Sequence, residues 1–229
     1  MSFNNRKDLV YLLLAGFFVT NALLAEILGG KLIQVGTYVM SMGVVPWPVV
    51  FLTTDLINEY FGRDGVRHLT FITVGLILFA FALIFIAINI PAAPVSPVSD
   101  EAFNQVLGQS LWIIVGSIIA FIISQLLDVF VFWRFRDQTG GRHLWLRSTG
   151  STIFSQFVDT FVILAIAFWL PGKLKTRDFL GLAFTNYSYK LLIAVSLTPL
   201  IYLTHHLIHR FIGDREADSL IEEAVKLSH

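Results

Sequence analysis

The chain has 229 residues, of which 55% are hydrophobic and 14% charged, and its 16 basic residues balance its 16 acidic ones. Soluble domains of this size carry about a quarter charged residues, so with a mean hydropathy of +0.73 lipid is the expected solvent. The neutral balance gives no support to a nucleic-acid partner, and the lack of cysteine excludes disulfides and thiolate metal sites.

A spanning helix needs roughly 20 mostly apolar residues to cross an apolar layer of about 30 Å. The sequence predicts an all-α polytopic bundle with six such spans, at 9–29, 43–61, 69–90, 111–133, 151–170 and 179–203. Arg6 and Lys7 look like the start of a signal peptide, but no small-residue cleavage site follows, so the first helix is expected to be retained. Pro46 and Pro48 open the second span, the segment with Pro91, Pro94 and Pro97 reads as an irregular connection, and Pro199 is expected to kink or break the sixth. Arg6, Lys7, Arg63, Arg67, Arg134, Arg136, Arg142, Arg147, Arg210, Arg215 and Lys226 collect on one side, against Lys31, Lys173, Lys175 and Arg177 on the other. This bias puts both termini in the cytoplasm. The expected organisation is a short cytoplasmic N-terminus (1–8), a membrane domain (9–205) and a cytoplasmic tail (206–229). In the tail, Ala217, Leu220, Ile221, Ala224 and Leu227 share one helical face, which suits either a short surface helix or a solvated segment.

The spans carry many polar residues. Ser124-Gln125-Leu126-Leu127-Asp128 of the fourth matches Ser155-Gln156-Phe157-Val158-Asp159 of the fifth, 31 positions later. Ser117, Phe121, Ser124 and Asp128 lie on one helix face, as do Ser148, Thr152, Ser155 and Asp159. Gln125 and Gln156 flank these stripes. The second span adds Thr54, Asp55, Asn58 and Glu59, with Glu59 expected nearer water and Asp55 deeper. The first adds Thr20, Asn21 and Glu26, and the sixth Asn186, Tyr187 and Lys190. Each ionisable group at membrane depth costs at least ~2.5–3.5 kcal/mol, so such groups pair, line a wet cavity or bind a ligand. The serines could equally tighten helix packing, and Asp128 and Asp159 could be ion-pair partners of Lys190, Arg134 or Arg147. His205 and His209 are an i, i+4 pair without a clear carboxylate partner, so no metal site is expected there. No Walker loop, dinucleotide fingerprint, HExxH or GxSxG motif occurs, no nucleophile–base pair is evident, and neither an enzyme nor a cofactor is expected.

Several blocks resemble one family. They are Thr20-Asn21, Pro48 to Phe51, Asp55-Leu56-Ile57-Asn58-Glu59-Tyr60-Phe61-Gly62, Ala102 to Gly108, Leu144-Trp145-Leu146-Arg147, Ser151-Thr152 and the two Ser-Gln-x-x-Asp motifs. Together they look like the queuosine precursor transporter family, also called the vitamin uptake transporter family, over residues 9 to 205. The resemblance implies a six-helix importer in the bacterial inner membrane. Its substrate would be a small 7-deazaguanine, 7-cyano-7-deazaguanine or 7-aminomethyl-7-deazaguanine, salvaged for queuosine in tRNA.

The polar inventory suits such a base. One carboxylate, Asp128 or Asp159, can accept from the ring N–H and the exocyclic amine together. Gln125, Gln156, Asn58 or Asn186 can answer the ring carbonyl, and Lys190 stands near them in the proposed substrate set. Phe121, Phe157, Tyr187 or Trp145 would cover the flat faces. Asp55 and Glu59 are then candidates for a proton or cation coupling site or a gate. A secondary transporter is the leading expectation. A substrate-capture subunit of an energy-coupled vitamin importer fits the same length, and a homodimer stays open.

Overall fold

A computed structural model describes residues 6–36, 38–140 and 142–228. Helix α1 (Arg6–Leu28) ends at the Gly29-Gly30 pair, and a hairpin of β1 (Leu32–Val35) and β2 (Tyr38–Ser41) follows. The strands pair antiparallel from Leu32 opposite Ser41 to Val35 opposite Tyr38. A 3-10 turn (Met42–Val44) leads into α2 (Trp47–Ile88), then α3 (Asp100–Leu107), α4 (Leu111–Thr139), α5 (Leu144–Leu164) with a π-helical extension Ala165–Trp169, α6 (Thr176–Ser196), α7 (Thr198–Ile212) and α8 (Asp214–Ser228). The hairpin and α3 were not expected. Both lie in connections, where hydropathy carries no signal, and α3 is held at its start by the Ser99 hydroxyl, which accepts from the Ala102 amide.

Among the described residues, five helical stretches are long and apolar enough to cross a membrane: Arg6–Leu28, Met42–Ile88, Asp100–Thr139, Leu144–Trp169 and Thr176–Ile212. Three of them are interrupted, Asp100–Thr139 at residues 108–110 between α3 and α4. In α2 the backbone leaves helical geometry at Gly62, with φ 75° and ψ −175°, a region essentially reserved for glycine. The second and third predicted spans are the halves of α2 on either side of this break. The sixth predicted span is interrupted at Leu197, between α6 and α7. Pro199 sits in the first turn of α7, where its missing N–H removes no helical bond.

The half of α2 before Gly62 is the centre of the bundle, for every residue of 53–60 is buried. The half after it presents Phe71, Ile72, Phe79 and Phe85 outward, as lipid contact requires. The apolar core joins Phe18 of α1, Val50 and Tyr60 of α2, Phe121, Phe132 and Trp133 of α4, Ile208 of α7 and Leu220 of α8. Helix α8 does use the predicted face, burying Ala217, Leu220 and Ala224, whereas Leu227 points outward. Its end packs into the break in α2: the Ser228 hydroxyl accepts from the Arg63 amide at 3.1 Å.

Gly62 is therefore constrained twice. A Cβ there would lie 3.0 Å from Ser228 Oγ and 3.2 Å from the Ala224 carbonyl oxygen. Gly62→Ala should cost about 1–3 kcal/mol from backbone strain alone and loosen α8. A lower unfolding temperature in detergent, with faster proteolysis within α8, is the expected result; unchanged values would mean that the break tolerates a side chain.

Candidate functional site: a polar cavity between α2, α4 and α5

Helices α4 and α5 are joined by a tight turn that starts with Gly140 in the left-handed conformation (φ 58°), so they run antiparallel. The repeated Ser-Gln-x-x-Asp motifs meet across this pair. Ser155 Oγ donates to Asp128 Oδ1 at 3.0 Å, and Ser124 Oγ donates to Asp159 Oδ1 at 3.4 Å. Each serine thus serves the other motif's carboxylate, at positions equidistant from the turn.

Four carboxylates of α2, α4 and α5 are buried here, in different company. Glu59 accepts from Arg136 Nη1 at 2.9 Å, Arg147 Nε at 3.0 Å and Arg147 Nη2 at 2.7 Å. It is only 2% exposed, contrary to the expectation that it would be the carboxylate nearer water. Two guanidinium groups, from either side of the α4–α5 turn, close over it and supply the charge that burial demands. Asp159 is paired with Lys190 of α6 at 2.6 Å, and that ammonium also lies 5.9 Å from the Trp47 ring centre. Asp55 accepts from the Ser148 hydroxyl. Asp55 and Asp128 have no ion-pair partner within 4 Å among the described residues.

A small cavity lies among Phe51 and Thr54 of α2, Ser124, Gln125 and Asp128 of α4, and Thr152, Ser155 and Gln156 of α5. Its volume, about 10 Å³, is room for roughly one water. Three buried atoms of its lining lack any hydrogen-bond partner among the described residues: Asp128 Oδ2, Gln125 Oε1 and Gln156 Oε1. All three are acceptors. Leaving a buried polar group unsatisfied costs roughly 1–3 kcal/mol, and three such acceptors in one place leave room for hydrogen bonds from a donor. Gln125 also reaches Thr54 Oγ1 at 3.5 Å, which aims its amide group along the cavity wall.

Of the residues singled out in the sequence, Asp128, Gln125 and Gln156 line this cavity. Asp159 stands beside it, engaged with Lys190 and Ser124. Asn58 is fully buried on α2 with neither side-chain atom partnered among the described residues, but it does not line the cavity. Asn186 donates to the Leu182 carbonyl of its own helix at 2.9 Å and is not brought to it. Among the aromatic candidates, Phe157 and Trp145 are exposed, Phe121 packs against Phe18 and Trp47 in the core, and Tyr187 donates to the Ile153 carbonyl at 3.3 Å. The ring at the cavity is Phe51. Its signal was present in the sequence, since Phe51, Thr54, Asp55 and Asn58 follow the i, i+3, i+4, i+7 spacing of one helix face. Pairing of Glu59 with Arg136 and Arg147 had no such signal, because it is made across three elements. His205, weighed above for a metal, has its Nδ1 2.7 Å from the Tyr60 hydroxyl.

Residues 41–204 match the family model described as "Putative vitamin uptake transporter". The chain is 32% identical to a protein of Bacillus subtilis (strain 168) named "Probable queuosine precursor transporter", over 75% of this chain and 73% of that one. It is 29% identical to the "Queuosine precursor transporter" of Escherichia coli (strain K12), over 79% and 80% of the two chains. A "Probable queuosine precursor transporter" of Haemophilus influenzae is 28% identical over 69% of this chain and 64% of that protein. No solved structure matches. The match over most of the polar bundle, and the relatives that cover the same helices, make the chain a multi-pass membrane protein of the vitamin uptake transporter family, a family of transporters rather than enzymes.

Proposed function

We propose that the protein imports queuosine precursors, 7-cyano-7-deazaguanine or 7-aminomethyl-7-deazaguanine, across the bacterial inner membrane as a secondary transporter. The names of the relatives support the substrate class. The observation that carries the reading is the cluster of three unpartnered buried acceptors, Asp128 Oδ2, Gln125 Oε1 and Gln156 Oε1, beside the Phe51 ring. A deazaguanine presents a ring N–H next to an exocyclic amine, and one carboxylate accepts from both. Asp128 takes this role. The free Oε1 atoms of Gln125 and Gln156 accept from the N–H of the five-membered ring, their Nε2 groups donate to the ring carbonyl, and Phe51 covers a ring face, a contact worth about 1–3 kcal/mol for a nucleobase. Space for about one water does not hold a bicyclic base, so binding requires α2 to part from the α4–α5 pair.

Asp159 and Lys190 then act on substrate through position: the ion pair ties α5 to α6 and holds the Ser124–Asp159 contact in register. Asp55, without a cation partner, is the proton or cation coupling group, and the Glu59–Arg136–Arg147 cluster is the gate at one end of the cavity. Six crossings follow if both halves of α2 span, with α6 and α7 together forming the last. The basic bias of the loops supports cytoplasmic termini.

A bacterial strain unable to make queuosine should regain it in tRNA from a low external supply of either base when this protein is expressed; no gain would remove the substrate assignment. Purified protein in liposomes should accumulate labelled base without other subunits, whereas uptake only with an added ATPase complex would make it a capture subunit. Asp128→Asn should lower uptake about 10- to 100-fold, the loss of one charge-assisted contact of about 1.5–3 kcal/mol, with the unfolding temperature unchanged. Asp159→Asn should instead destabilise the protein by about 3–5 kcal/mol through an uncompensated Lys190, and Lys190→Met in the same chain should restore stability. If both aspartate variants lose uptake at full stability, Asp159 contacts substrate directly.

A further inference from the structure

A second cavity, of about 350 Å³, lies where the α4–α5 turn meets α7 and α8. It shares no lining residue with the Asp128 cavity. Arg136, Arg142 and Arg147 line it, against a single carboxylate, Glu59. Both oxygens of Glu59 are already engaged by Arg136 and Arg147. Arg142 is exposed and has no carboxylate within 4 Å among the described residues. Two further acids are close by, Asp137 near Arg136 and Asp218 near His205. Both are exposed and outside the lining, where solvent and salt screen them. The lining itself keeps an excess of positive charge, with Tyr202 and Ile221 on its less polar side.

We infer that this cavity binds a phosphate-bearing anion, with Arg142 as its main ligand and Arg136 and Arg147 behind it. Guanidinium forks match phosphate oxygens in paired hydrogen bonds. Three of them reach the space from α4, the turn and α5, which suits a tetrahedral oxyanion; the planar carboxylate of Glu59 already meets two of them. Tyr202 and Ile221 give room for the organic part of a phosphoester. The anion bridges the α4–α5 turn to α7 and α8, so its binding stabilises the closed arrangement around Glu59. Its source is either a phospholipid headgroup or soluble phosphate, the chemistry of recognition being the same.

The test uses intact detergent-solubilised protein and the Arg142→Gln variant, an exposed change that should alter intrinsic stability by less than about 0.5 kcal/mol. Unfolding temperature is measured with inorganic phosphate against chloride of matched ionic strength, and with added phosphatidylglycerol against phosphatidylcholine. Stabilisation by phosphate identifies a soluble ligand, and stabilisation by phosphatidylglycerol alone identifies a headgroup. In either case Arg142→Gln should need about tenfold more ligand, the loss of one charge-assisted contact. No stabilisation of the unmodified protein over either control, or an equal response from the variant, overturns the site.

Discussion

Burial of Glu59 between Arg136 and Arg147 holds the centre of this protein together. A lone carboxylate in an apolar interior carries a desolvation penalty that only close, geometrically good partners offset. Here the partners come from two helices on either side of a tight turn, so the cluster fastens the buried half of α2 to the α4–α5 pair. Removing one member of such a cluster leaves an uncompensated charge and costs about 3–5 kcal/mol. A second pair, Asp159 with Lys190, fastens α5 to α6. Between these fixed points lies the one place in the described bundle where acceptors from α4 and α5 line a cavity without partners. The bundle is thus tied by charge on both sides and carries unsatisfied acceptors between them.

The two Ser-Gln-x-x-Asp motifs show how equal sequences come to unequal roles. The antiparallel pairing of α4 and α5 sets each serine against the other's aspartate, which gives the helix pair an approximate two-fold relation. The relation ends at the aspartates' second oxygens. Lys190 reaches Asp159 Oδ2, whereas Asp128 Oδ2 has no hydrogen-bond partner among the described residues. A single lysine on α6, outside the repeat, gives one carboxylate an ion-pair partner and leaves the other without one among the described residues.

The break at Gly62 divides α2 into two parts of different character. The two halves of α2 have different surroundings, the first buried on every side and the second facing outward over much of its length. Helix α8 packs into the joint through Ser228. The joint is thus tied to the C-terminal helix, whose Ile221 also lines the arginine-rich cavity.

Much of this was legible in the residues. Long apolar runs locate the spanning segments because the bilayer sets a minimum length, Pro199 marks the interruption of the last one, and the repeat marks Asp128, Asp159, Gln125 and Gln156 as facing inward. The hairpin and α3 were not, since connections are shaped by local turn chemistry rather than hydropathy. The sequence by itself determined which side chains must avoid lipid, because the cost of a polar group in an apolar medium depends on its chemistry alone. Only the tertiary structure decided which of them satisfy one another: that Glu59 is closed in by two arginines, that Lys190 takes Asp159, and that Asp128 is left facing Phe51. Ion pairs and hydrogen bonds act within about 4 Å, and which groups come that close is set by the packing of helices distant in sequence.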